Sequence, residues 1–219
     1  MSSSDSEDTS IDPSSSGEEK EESLVNQIVA KLKNSIFDGK DFLPEGCIET
    51  LITEATVMNE MGITEETKED SRKLLSFILK DGRKIFAILI FSSFKGQALR
   101  EALTQFRRKK IGDVSLPITD VANVPFFKPP KQPWDNWSVR NFCKGQWIFL
   151  APVFSNEKLN LQLRADHILP FTSQDNDIKS GAFGEVHQVT VHPSHHTNPV
   201  LTVRIFYICL DSVPQVFPL

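Results

Sequence analysis

The chain has 219 residues, 39% of them hydrophobic and 9% aromatic, enough to bury the core of one large domain or two small ones. Its net charge of −5 is unevenly spread: eight acids against Lys20 put −7 on residues 1–22, which leaves +2 on the rest. A nearly neutral body excludes the strong basic field of a nucleic-acid or anionic-membrane binder, and three scattered cysteines, Cys47, Cys143 and Cys209, exclude a disulfide framework.

Residues 1–22 hold eight serines and no aromatic residue, the composition of a disordered acidic tail that cannot offset its ordering entropy by burial. Ser2 and Ser4 each have an acid three residues on, a pattern open to acidophilic kinases. The polar opening Met1-Ser2-Ser3-Ser4-Asp5 is unlike a signal peptide, and the longest apolar run, Ile85 to Phe91, is too short to span a bilayer. The expected location is cytoplasmic or nuclear, with no membrane partner.

A mainly helical module is expected over 23–112. Leu24, Val25, Ile28, Val29 and Leu32 recur at helical spacing behind Ser23, predicting a capped helix over about 23–35. Pro44-Glu45-Gly46 breaks the chain; Cys47 to Ile52 reads as a short helix, followed by a connection carrying Met58 and Met61. Thr64 to Lys80 gives the strongest helical pattern, with Glu65, Glu66, Glu69 and Asp70 near its positive dipole end and Leu74, Leu75, Phe77, Ile78 and Leu79 on its apolar side. Arg83 to Phe91 is so uniformly apolar that it must be buried, as strand or helix. Lys95 to Lys110 is helical again, and Arg107-Arg108-Lys109-Lys110 at its end reads first as a solvated terminus and second as a nuclear-import or anion-binding patch.

Residues 113–165 read as a connection dense in proline that wraps against the core, because Phe126, Phe127, Trp134 and Trp137 are costly to leave in water. Asn141 to Phe154 has the aromatic and β-branched content of a buried strand.

The segment with the most specific chemistry is Asp177-Ile178-Lys179-Ser180-Gly181-Ala182-Phe183-Gly184-Glu185-Val186. Two glycines bracket a small residue and an aromatic, so the backbone can turn sharply and bring its N–H groups close to anionic oxygens. Ile178 is expected to end one strand and Val186 to Val191 to form the next, with Gln188-Val189-Thr190-Val191 alternating as a half-exposed strand does. His192 to Pro199 then reads as a polar turn into a third strand. His187, His192, His195 and His196 invite a zinc reading, but they lack a second ligand pair and a nearby cysteine.

This register resembles the start of a protein kinase N-lobe, whose glycine-rich loop follows G-x-G-x-x-G-x-V. Gly181 and Gly184 stand as its second and third glycines, and Val186 as the valine over the adenine; Lys179 replaces the first glycine. Val200-Leu201-Thr202-Val203-Arg204 lies where kinases carry V-A-I-K, with Arg204 in place of the phosphate-binding lysine. The stretches Leu43 to Cys47, 70–80 and Asn141 to Phe154 are similar to the region preceding the kinase domain in a group of fungal kinase-like proteins.

The resemblance implies an α+β fold, a helical N-terminal module followed by the first antiparallel strands of a kinase-like N-lobe over 166–219. It implies ATP as cofactor, held weakly or as a vestige by Ile178, Gly181, Ala182, Phe183, Gly184, Val186 and Arg204. No H-R-D, D-F-G or A-P-E occurs, and Ile205 to Leu219 contains no glutamate, so no catalytic residue is assigned and magnesium is not expected without its ligands. The expectation is a truncated chain, inactive alone, or else a non-enzymatic module that binds a protein partner through residues 23–165.

Overall fold

The computed structural model describes residues 22–127, 132–155, 163–174, 179–181, 184–197 and 202–207. Among them the chain is α+β, with seven α-helices, a two-stranded ribbon and a four-stranded antiparallel sheet.

Helix α1 (Leu24–Lys31) starts where expected, with the Ser23 side chain accepting from the Asn26 backbone N–H. It stops four residues short of the predicted end because Leu32 turns extended (φ −58°, ψ 144°) and feeds strand β1 (Lys33–Asn34), which pairs with β2 (Asp41–Phe42). Leu24 and Ile28 are buried, whereas Val29 is 52% exposed.

Helix α2 (Cys47–Leu51) matches its prediction, but the expected connection through Met58 and Met61 is itself helical, α3 (Glu54–Met61). Thr53 caps its start by accepting from Thr56 N–H, and Gly62 ends it in the left-handed region at φ 59°, where a Cβ would be strained. Helix α4 (Lys68–Asp81) begins four residues later than predicted. The hydroxyl of Thr67 accepts from Thr64 N–H, folding residues 64–67 into a separate turn, so Glu65 and Glu66 precede the helix.

Residues Arg83–Phe91 form helix α5, which settles the strand-or-helix ambiguity. Ile85 through Ile90 are all buried, so α5 is the centre around which the others pack. Gly82 offers no side chain to cap it. The Asp113 carboxylate does so from a distance, accepting from the N–H groups of Lys84 and Ile85 at 2.9 Å each. Helix α6 (Gly96–Arg108) buries Leu99, Ala102, Leu103 and Phe106 as its periodicity predicts. Its Arg100 guanidinium ties neighbours together, donating to Met61 O at 3.0 Å and Ser71 Oγ at 3.2 Å.

The proline-rich segment wraps the helices through short 3₁₀ turns at Asp113–Ser115 and Val121–Asn123. Phe126, Phe127 and Trp134 are buried around Phe106, with ring centroids 5.0, 6.1 and 6.0 Å from it. Trp137 is the exception to the expected burial, at 68% exposed.

The predicted strand over Asn141 to Phe154 is instead helix α7 (Asn136–Gly145) and a 3₁₀ turn (Gln146–Phe149). Asp135 caps α7 by accepting from Ser138 N–H at 2.7 Å, and Val139 and Phe142 bury at helical spacing. Helical packing against α5 outweighs β propensity here. One apolar cluster runs from Leu24 to Phe149, so the segment after residue 112 belongs to the same core as the helices before it. Among the described residues no helix is long and apolar enough to cross a membrane.

Candidate functional site

The glycine segment lies at one end of the four-stranded sheet. Strand β5 (Gly184–Val191) is its centre. Strands β3 (Phe171–Gln174) and β4 (Lys179–Gly181) pair with opposite ends of one of its edges, and β6 (Thr202–Tyr207) pairs with the other. All pairings are antiparallel, and β3, β4 and β6 each pair with β5.

Gly181 pairs with Gly184, so the two glycines close the β4–β5 hairpin. The register matches Lys179 with Val186 and Val186 with Phe206, then Gln188 with Arg204 and Thr190 with Thr202. Partnered positions in a pleated sheet share a face, and faces alternate along each strand. Positions 186, 202 and 204 therefore fall on one face. Thr190 and Ser173 on that face are exposed, their hydroxyls hydrogen-bonded at 2.8 Å. The other face buries Val189 and Val191 against Phe171, Leu169 and Phe154, so the predicted alternation of the strand holds at 189–191.

Of the residues singled out for nucleotide, the fold brings Gly181 and Gly184 together at the hairpin and places Val186 and Arg204 on one face of neighbouring strands. Ile178, Ala182 and Phe183 lie outside the described residues. Among the described residues no group of three or more histidine, cysteine or acidic side chains can hold a metal.

The segment expected to be a polar turn does turn, and through His195 it also forms a joint between the sheet and the helices. A 3₁₀ turn at Pro193–His195 places His195 at 1% exposure. Its Nε2 accepts from Glu45 N–H at 3.0 Å, and its Nδ1 lies 3.0 Å from Pro152 O. One ring nitrogen accepts and the other donates, which is the pattern of a neutral imidazole. Burial pulls its pKa down to about 4, with the neighbouring His192 acting in the same direction. Phe42 meets His195 and His192 edge-on at 5.3 and 5.7 Å. His192 is also held below its ordinary range, by burial and by Lys33.

Further bonds close the joint: Ile36 N–H donates to Phe171 O at 3.0 Å, and Phe154 N–H to His195 O at 2.8 Å. Gln146, 1% exposed, accepts from Ile118 N–H at 2.8 Å and donates to Ile118 O at 3.0 Å. Sequence reasoning missed His195, Asp113 and Gln146 because each has a partner 28 or more residues away. The available signal was weak: a polar residue within an apolar stretch, as at Gln146 before Trp147-Ile148-Phe149.

No family model, characterised protein or solved structure matches the chain.

Proposed function

We propose that residues 169–207 are the opening strands of a protein-kinase-like N-lobe, serine/threonine type by resemblance, and that the helical module is its amino-terminal extension. In this reading the Gly181–Gly184 hairpin brings backbone N–H groups to the phosphates of ATP. Val186 covers the adenine, and Arg204 supplies the positive charge that a lysine supplies in active kinases.

What supports the reading is the strand register. It pairs the two glycines and gives positions 186, 202 and 204 the same face, with the exposed residues Thr190 and Ser173. The alignment to V-A-I-K needs that parity, and a shift of one residue would destroy it. Without H-R-D or D-F-G in these 219 residues, the proposed activity is weak nucleotide binding with no phosphoryl transfer and no ordered magnesium.

A melting experiment tests this. Millimolar ATP with magnesium is expected to raise the melting temperature by ~1–3 °C, as linkage gives for ligand near its Kd. The shift disappears in Gly181→Val with Gly184→Val, and shrinks in Arg204→Ala. An unchanged melting temperature for the native chain overturns the nucleotide reading.

That outcome favours the second reading, a non-enzymatic module that binds a protein. Trp137 supports it, because an exposed tryptophan on a described helix is a typical anchor for a partner.

A further inference from the structure

The basic cluster at the end of α6 does not stand alone in solvent. Arg107 and Lys110 share a cleft of about 780 Å³ with Arg72 and Lys73 of α4. Two acids also line it, Glu69 and Asp81. Glu69 is already paired with Arg72 at 3.2 Å. Among the described residues no carboxylate lies within ion-pair distance of Lys73, Arg107 or Lys110. The Nε of Arg107 is shielded from solvent and has no hydrogen-bond partner, an arrangement that costs free energy unless something anionic completes it.

The backbone holds this cleft open. Lys110 sits in the left-handed region at φ 55°, which lets the chain reverse directly after α6. Gly112 lies so close to Asp81 that an added Cβ would stand 2.6 Å from its carbonyl oxygen, so the following turn is pinned to the end of α4. That pinning leaves Val114 99% exposed at the rim.

We propose that the cleft is an anion-receiving site whose occupant is the chain's own acidic, serine-rich residues 1–21. The reading is independent of any nucleotide at the glycine hairpin. Charge complementarity carries it: the one strongly acidic stretch of the sequence, −6 over residues 1–21, meets a cleft whose cations outnumber its acids by four to two.

The connection reaches. Leu24 N–H donates to Glu60 Oε1 at 3.1 Å, so the tail leaves the fold beside α3, and α3 packs directly on α4 and α6. Helix α4 is only ~20 Å long, while 21 residues span up to roughly 70 Å. Phosphorylation of the tail serines adds about −1.5 to −2 charges each and tightens the contact.

Zero-length carbodiimide cross-linking of the purified full chain, read by mass spectrometry, tests the proposal. Amides from tail carboxylates are expected to concentrate on Lys73 and Lys110 over the bystanders Lys31, Lys33 and Lys40, and to fall at least ~10-fold at molar salt, where the Debye length is about 3 Å. Arg107→Gln, with melting temperature checked, lowers the yield severalfold; if that variant does not fold, the salt series on the native chain carries the test. Links spread over the bystanders, links unaffected by salt, or links found between isotopically light and heavy chains mixed before reaction each overturn it. Capture of an added phosphopeptide without tail links does so as well, and assigns the cleft to a partner in trans.

Discussion

The imidazole Nε2 of His195 accepts a hydrogen bond from the backbone N–H of Glu45 at 3.0 Å, across 150 residues of sequence. This bond requires the neutral ring. Protonation puts a second N–H on Nε2, facing the Glu45 donor. The folded pKa of about 4 lies below the unfolded value near 6.5, so the unfolded chain binds more protons between those limits. Stability is therefore full above about pH 6.5 and falls as acid approaches pH 4, by on the order of 2–3 kcal/mol. His192 and His167 are also depressed by burial and steepen the same limb. Urea denaturation across this range should show the loss, and His195→Ala should flatten it while costing ~2–3 kcal/mol at neutral pH.

Asp113 acts in the opposite sense. Burial raises its carboxyl pKa, against the lowering effect of the Lys84 and Ile85 N–H groups it accepts from. A raised carboxyl pKa means the folded chain binds the extra proton, so this residue's contribution becomes less unfavourable as pH falls through its range. Its cap still matters: Asp113→Ala leaves two N–H groups of α5 without their acceptor and is expected to cost about 1–2 kcal/mol by denaturant titration at neutral pH.

Gln146 fills both backbone groups of Ile118 from a buried position. Gln146→Leu is close in volume but leaves that N–H and C=O unpaired, with an expected cost of ~2–4 kcal/mol. Gln146→Glu keeps the acceptor but loses the donor and introduces a charge into the interior, so its destabilisation should ease at low pH. An unchanged midpoint in either variant contradicts the assigned role.

The two neighbouring tryptophans give a fluorescence test. Trp134 is 3% exposed, donates to Gln105 Oε1 at 2.7 Å and packs on Phe94 and Phe127, whereas Trp137 is largely in solvent. Trp147 is buried as well, so Trp134→Phe should lower the blue-shifted emission and leave the Trp147 share of it, whereas Trp137→Phe should remove red-shifted emission. Trp134→Ala should cost ~3–5 kcal/mol and Trp137→Ala less than about 0.5 kcal/mol.

How legible all this was depended on the range of the forces involved. Helix α6 could be read because Leu99, Ala102, Leu103 and Phe106 form one stripe against polar residues. Helix α5 could not be distinguished from a strand, since burial on every side erases periodicity. The stretch Asn141 to Phe154 misled because Phe142, Trp147, Ile148 and Phe149 favour strands, while Asp135 and the packing of Val139 and Phe142 impose a helix that runs into a 3₁₀ turn. Helix α3 is only eight residues long, with limits set by Thr53 and Gly62. The glycine hairpin was legible because two glycines three positions apart specify a turn locally. The His195 joint was not, because its partners lie on Glu45 and Pro152.

That joint also orders events during synthesis. The helical core is complete in sequence by Phe149, so it can close while the sheet is still unmade. Until the turn at Pro193–His195 leaves the ribosome, the Glu45 N–H and the Pro152 carbonyl wait without their shared partner, and Phe42 lacks the rings it packs against. The helices thus present a finished docking surface to strands synthesised after them, and a nascent protein stalled before His192 would expose it to chaperones.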